Sequence, residues 1–275
     1  MFCMPRTARM IILDTPRHTP HHVTIGTVGL YLPRMEGYNH GRRSWNGRVY
    51  WSEPEIQPLN VLGLMQLVDS APAVGGYAGC FQVRALARQG LLRSEEQIVQ
   101  LLDACLKSSI GPSDGVAVGW AFKAARQGDL AELPELASRL SGPDVPANLR
   151  LASLEMGAHL WELSRRWDWA QAMHVQVDGM AGPEALHHAM AFGALVSETT
   201  AQEIRAIAMC LFSAAKAIIR VAVDAIPLDE TVVLKILSRL QPEISSLAHQ
   251  YATCHSDAIH ALPPAEVVES LVRAW

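Results

Sequence analysis

The sequence predicts an all-α fold. Apolar residues make up 49% of its 275 positions and charged residues only 18%, enough apolar material for a sizeable core. Alanine and leucine dominate, and runs of β-branched and aromatic residues are scarce after residue 60. From there on, apolar residues recur at helical spacing between Gly, Pro and capping signals. We expect a single bundle of about ten helices over residues 59–275, preceded by an irregular extension over residues 1–58.

The extension mixes Pro, Gly, Arg, His and aromatics without helical period. Val23–Leu32 has the composition of a short strand or hairpin, weakened by Gly26 and Gly29. Trp45–Trp51 carries Asn46–Gly47, a hairpin-turn signal.

Leu59–Ser70 reads as the first helix, with Pro72 stopping it and Gly75–Gly76 turning the chain. Tyr77–Gln89 follows and ends at Gly90. Ser94-Glu-Glu-Gln97 is a capping box opening a helix to about Ser109, which Gly111–Pro112 should break. Asp114 is expected to cap the next helix, to about Gln127. Helices are then expected at Asp129–Leu140, over residues 146–166 and at Trp167–Val177. Gly179 and Gly182 bound a loop, and Pro183 suits the first position of a helix to Ser197. Small residues on that helix, Gly193 among them, let a neighbour approach closely.

Thr200-Ala-Gln-Glu203 is a second capping box, opening a helix to about Val223 that is apolar on nearly all sides and so expected at the centre. Asp229–Cys254 is the last long helix, with Pro242 expected to bend or divide it. A short terminal helix, Ala265–Trp275, should expose Val267, Val268, Leu271 and Trp275 on one side. No period of 30–45 residues is visible.

Charge and composition narrow the function. The net charge is −4, with seven arginines against four acids in residues 1–58, so the helical body is acidic. An acidic body is a poor nucleic-acid binder. Five scattered cysteines, Cys3, Cys80, Cys105, Cys210 and Cys254, form no CxxC; they read as small buried hydrophobes in a reducing cytosol. The apolar runs are interrupted, as by Lys216 within Ile207–Ile219, so no membrane span or secretory signal is expected. The expected location is the cytoplasm.

Few residues suggest chemistry. P-loop, GxGxxG, GxSxG and HExxH motifs are absent from the sequence. His18, His21 and His22 could chelate a transition metal, but Pro20 and the lack of a scaffold favour a solvated segment. His187 and His188 would point about 100° apart on a regular helix, one buried and one exposed. Cys80 lacks any base placed beside it by the sequence. Asp69–Ser70 reads as a capping and turn element. Arg220 closes an apolar helix, where a buried guanidinium would need an acid or several carbonyls, at a helix junction or an interface.

Three segments carry a resemblance. Leu64-Met-Gln66-Leu67-Val-Asp69-Ser70, followed by Pro72, Val74-Gly75-Gly76-Tyr77-Ala78, resembles the opening motif of the urease accessory protein F family. His187-His188-Ala-Met-Ala191-Phe192-Gly193 is similar to that family's H-x-x-x-F-G segment, with His188 as the matching histidine. Ser213-Ala214, Ala217-Ile-Ile-Arg220 and Pro227-Leu228 resemble its S-A-A-x-R and P-L elements, in the same order. The resemblance spans about residues 59–275 and departs from the pattern after Tyr77, where Arg84 stands in place of an acid. It departs again at the C-terminus, Ser270–Trp275.

The resemblance implies a non-catalytic, dimeric, all-α scaffold. Its partners would be the D-type (also called H-type) accessory protein, the G-type GTPase and apo-urease, and its task GTP-dependent nickel insertion. No tightly bound cofactor is implied, and nickel would pass in transit if it touches the chain at all. Partner-binding candidates are Asp69, Ser70, Gly75, Gly76, Tyr77, Arg84, His188, Arg220, Arg273 and Trp275. The alternative is a helical adaptor diverged to another metalloenzyme or regulatory partner.

Overall fold

A computed structural model describes residues 43–45, 48–50, 58–69, 75–178, 186–200, 202–226, 228–229 and 231–275. Chain contacts divide it into two units, Met1–Glu55 and Ile56–Trp275. In the first, β1 (Arg43–Trp45) and β2 (Arg48–Tyr50) pair antiparallel, Trp45 facing Arg48 across the two-residue Asn46–Gly47 connection the sequence marks. The Val23–Leu32 expectation, Cys3 and the candidate ligands His18, His21 and His22 lie outside the described residues.

The second unit is all-α. Its helices are α1 (Pro58–Val68), α2 (Gly75–Cys80), α3 (Val83–Arg88), α4 (Glu95–Cys105), α5 (Val116–Gln127), α6 (Leu133–Leu140) and α7 (Ala147–Ser164). There follow α8 (Gln171–Asp178), α9 (His188–Ser197), α10 (Glu203–Ala225), α11 (Thr231–Ala252) and α12 (Pro264–Ala274). The loop with Gly179, Gly182 and Pro183 lies outside the described residues.

The core is organised around α10, which packs against α1, α2, α3, α4, α5, α9 and α11. By length and composition α10 could cross a bilayer, but most of its apolar window is buried among these neighbours. The sequence reading of only short, interrupted apolar runs understated it, because Lys216 and Arg220 fall on one outward stripe of the helix. The small residues of α9 serve as expected. A Cβ on Gly193 would stand 2.6 Å from the Val118 carbonyl oxygen and 2.9 Å from Ala121 Cβ, so α5 and α9 meet through backbone.

Several boundaries differ from expectation. The Ser94 half of the box forms: Ser94 Oγ accepts from Gln97 N (3.3 Å), while Gln97 Oε1 accepts from the backbone N–H of Arg93, one residue before the cap (2.9 Å), rather than from that of Ser94. The break at Gly111–Pro112 does not. The chain continues from α4 through a π-helical segment, Leu106–Gly115, directly into α5. The wider turn accommodates Pro112, and Gly111 is required because a side chain there would overlap the Tyr251 ring of α11. Asp114 therefore lies inside a helix and caps nothing.

Tyr77–Gln89 is two helices, because Gln82 adopts a left-handed φ of 52° between α2 and α3. The Thr200 box is unused; Gln202 is the N-cap of α10 and makes no side-chain cap bond. Pro242 leaves α11 undivided. On α12, Val267 is buried, and Val268, Leu271 and Trp275 are half-buried against the core rather than exposed.

Candidate functional site

The corner Gly75–Tyr77 opens α2, which lies on α7. Gly76 must be small: a Cβ would meet Met156 Sδ at 3.0 Å and Ala152 Cβ at 3.3 Å. That close seat turns Tyr77 inward, where it is 1% exposed. Its hydroxyl lies 3.1 Å from His188 Nδ1, and the two rings meet edge to face at 5.7 Å. Two segments singled out in the sequence, 111 residues apart, thus close on each other in one buried contact.

His188 is fixed further by its backbone N–H, which donates to Ser153 Oγ of α7 (3.2 Å). Burial pushes its imidazole down to about 4, so the ring is neutral. His187 is buried too, with Nε2 2.9 Å from Ser141 Oγ and a value also lowered to about 4 by burial and by Arg150. The expected split between one buried and one exposed histidine is therefore wrong. α9 starts at His188, and His187 is extended (φ −64°, ψ 153°), so the helical 100° rule does not apply to the pair.

Sequence reasoning missed Asp114 as part of this site. It is 5% exposed, and burial lifts its carboxyl to about 6. Oδ2 lies 3.0 Å from Ser113 Oγ, while Oδ1 is buried without a hydrogen-bond partner. The Tyr77 hydroxyl lies near enough to Asp114 to favour its charged form and to be raised well above the usual phenol range itself, chiefly by burial. The signal that could have found Asp114 is an acid amid the apolar and small residues of 108–119, but the Gly-Pro pair before it reads as a helix break with Asp114 as the cap of the next helix.

The remaining candidates are dispersed. Asp69 is exposed and pairs with Lys216 of α10 rather than capping a turn. Ser70 lies outside the described residues. Arg84 is exposed on α3, and Arg220 is exposed on α10, so Arg220 needs no buried acid. Arg273 pairs with Glu269 on the outer face of α12. Trp275 is half-buried and donates from Nε1 to Gln100 Oε1 of α4 (2.6 Å).

Cys105 and Cys210 are buried as expected, whereas Cys80 and Cys254 are half-buried. Burial pushes the Cys80 thiol up to about 11, and its Sγ leans on the Asn148 carbonyl oxygen (3.5 Å), which makes it a poor nucleophile. Among the described residues no three His, Cys, Asp or Glu side chains gather as a metal site.

One apolar surface stands out. Val61, Leu62 and Met65, on one side of α1, are 42%, 59% and 58% exposed. The helix carrying them is tied down on its other side. Ser213 Oγ donates to the Val68 carbonyl (3.3 Å), Trp169 Nε1 donates to Gln66 Oε1 (3.2 Å), and Leu67 is fully buried.

Sequence comparison finds relatives of the chain among known proteins. The model of the UreF family matches residues 92–241. The urease accessory protein UreF of Paenarthrobacter aurescens (strain TC1) is 26% identical over 204 residues, 74% of this chain and 89% of that protein. The UreF protein of Arthrobacter sp. (strain FB24) is 26% identical over 204 residues, 74% and 88% of the two chains. That of Trichodesmium erythraeum (strain IMS101) is 25% identical over 187 residues, 68% and 81%.

Proposed function

The chain belongs to the UreF family of urease accessory proteins, and from that premise we propose that it is a non-catalytic scaffold of urease maturation. It binds the D/H-type accessory protein and the G-type GTPase, assists GTP-dependent nickel insertion into apo-urease, and works in the cytoplasm as a homodimer. Nickel is cargo of the assembly, not a resident cofactor of this chain. A scaffold of this kind acts by binding GTPase states unequally and so shifting their populations.

The observation that carries this reading is the meeting of Tyr77 with His188. The two family segments converge on one buried polar contact, so the corner is held in a fixed form beneath a surface that can be recognised. Tyr77 and His188 shape that surface from within, since both are 1% exposed. Gly75 and Gly76 open α2, and Arg84 is exposed on α3. The apolar side of α1 is the surface we assign to self-association. Asp69, Ser70 and Arg220 are also assigned to partner contact, and Arg273 and Trp275 to the D/H-type partner.

A second reading rests on Arg84. It is exposed where the family pattern carries an acid, and such a reversal inverts any ion pair with a partner. On this reading the chain serves another metalloenzyme or regulatory protein. One experiment separates the two. The chain is co-expressed with the D/H-type protein, the G-type GTPase and apo-urease in a strain lacking its own F protein. Co-purification with the pair and restored urease activity support maturation. A folded chain that captures neither partner and restores nothing removes it. Recovery on Arg84→Glu alone assigns the difference to a changed partner.

A further inference from the structure

The helix that runs unbroken through Pro112 needs donors it does not contain. Proline has no N–H, so one carbonyl a turn earlier loses its partner: that of Lys107 in a π turn, that of Ser108 in an α turn. Both are served from outside the helix. The Leu262 N–H donates to the Ser108 carbonyl oxygen (2.8 Å), and the Tyr251 hydroxyl of α11 donates to that of Lys107 (3.4 Å). A carbonyl covered by packing and left without a donor is costly. These bonds therefore help to keep the chain helical across a Gly-Pro pair that by itself stops a helix.

Most of the outside bonds come from one stretch of chain. After α11, residues 254–263 run antiparallel to the rod formed by α4, the π segment and α5, and are pinned along it. Trp120 Nε1 of α5 donates to the Cys254 carbonyl (3.1 Å), and the His260 N–H donates to the Pro112 carbonyl (3.4 Å). Leu262, besides its bond to Ser108, accepts at its own carbonyl from Ser109 Oγ (2.8 Å). Trp275, at the end of α12, reaches Gln100 of α4. The anchor points on the rod thus step from Trp120 through Pro112 and Ser108 to Gln100, on both sides of the weak point. A side tie runs from the Ala261 N–H to the Asp144 carbonyl before α7 (2.9 Å). Of residues 255–262 only Ile259 and Ala261 are buried, so few side chains hold the stretch down.

We propose that residues 254–263 are a detachable splint: docked, they hold α4, the π segment and α5 as one continuous rod, and released, they leave a hinge at Gly111–Pro112. The docked state gains main-chain bonds that only this stretch supplies, and in the released state the local Gly-Pro signal decides. α5 carries Val118 against Gly193 of α9, so freedom at the hinge reaches α9 as well. The C-terminal segment is thereby a control element of the bundle. Whatever draws it off the rod frees the hinge, and whatever presses it down keeps α4 and α5 in line. All of these bonds lie within the chain and do not depend on which partner it meets.

Amide hydrogen exchange of the full chain tests the splint. Ile259→Glu places a charge beneath the stretch without altering a residue of the rod. Exchange over residues 108–116 is expected to rise at least about tenfold, as the loss of two main-chain bonds requires. The middle of α10 serves as the control and keeps its rate. Pro112→Ala returns an N–H to the rod, so in the double variant residues 108–116 should stay protected while residues 260–262 still exchange fast. A rod that stays protected in Ile259→Glu although residues 260–262 are open overturns the proposal. So does a rod that opens equally in the Pro112→Ala background. Should Ile259→Glu unfold the whole chain, Ile259→Ala decides. Acceleration confined to the splint and residues 108–116 supports the proposal, and equal acceleration in α10 overturns it.

Discussion

The α-carbon of Gly157 rests on the carbonyl of Leu186. A methyl group at Gly157 would overlap that oxygen and stand 2.7 Å from both the His187 carbonyl carbon and the His188 backbone nitrogen. This contact lets α7 pass directly beneath the extended residues that lead into α9, and it holds His188 over Ser153. Gly157→Ala is therefore expected to destabilise the body by at least about 2–3 kcal/mol, well beyond the small gain that Gly→Ala gives in an unobstructed helix. Urea unfolding measures it. A loss below about 0.5 kcal/mol would show that the two segments part easily.

Gly157 also shows where the sequence is legible. Helix positions follow from apolar period and caps, and α1, α7 and α12 fall close to their expected bounds. Those signals are local. What escaped were features set by distant groups. Gly111–Pro112 reads as a break, yet Tyr251, some 140 residues on, fits its ring where Gly111 has no side chain, and the chain continues as a π helix. Asp69 reads as a cap, yet Lys216 takes its carboxylate across to α10. Tyr77 and His188 are both visible as motif residues, but no sequence spacing shows that they touch, and Asp114 reads as a helix cap.

The buried histidines set the acid limit of stability. His187 and His188 titrate near 4 when folded and near 6.5 when unfolded, so the unfolded chain binds more protons between those values. Their contribution is complete above about pH 6.5 and is lost as pH falls towards 4, by roughly 3 kcal/mol for each. Asp114 works in the opposite sense, because its folded value is raised; its contribution is complete below about 4 and is lost as pH rises through 6. Two histidines outweigh one carboxyl in the shared window. The thermal midpoint should therefore fall between pH 6.5 and 4.5, and His187→Asn should make that fall shallower. A midpoint that is flat or rises on acidification would contradict the neutral, buried state of both rings.

The terminal helix is held by its last residue. Trp275 donates from its indole nitrogen to Gln100 Oε1 of α4, Val267 near the other end of the helix is buried, and α12 packs against α4 between them. Trp275→Ala removes the bond and a half-buried ring and should cost roughly 1–3 kcal/mol. Because α12 packs on the surface of the body, the loss should be local. Hydrogen exchange ought to accelerate in residues 264–274 while α10 stays protected. Equal acceleration in α10 would mean that α12 is integral to the cooperative core.

The apolar side of α1 can be separated from the fold by mutation. Leu62 and Met65 are each more than half exposed, and both lie away from the buried Leu67 that anchors the helix. Changing both to glutamate removes no packed side chain, so the unfolding free energy should move by no more than about 0.5 kcal/mol. If this surface joins two copies of the chain, the same pair of charges must be buried twice at a symmetric contact, once from each copy, without counter-ions. Sedimentation equilibrium should then show the double variant as a monomer at concentrations where the wild type is a dimer. A variant that dimerises as well as the wild type would move the self-association surface elsewhere on the body. A wild type that is itself monomeric at high micromolar concentration would leave α1 free for a different protein, and the same two substitutions should then abolish capture of that partner.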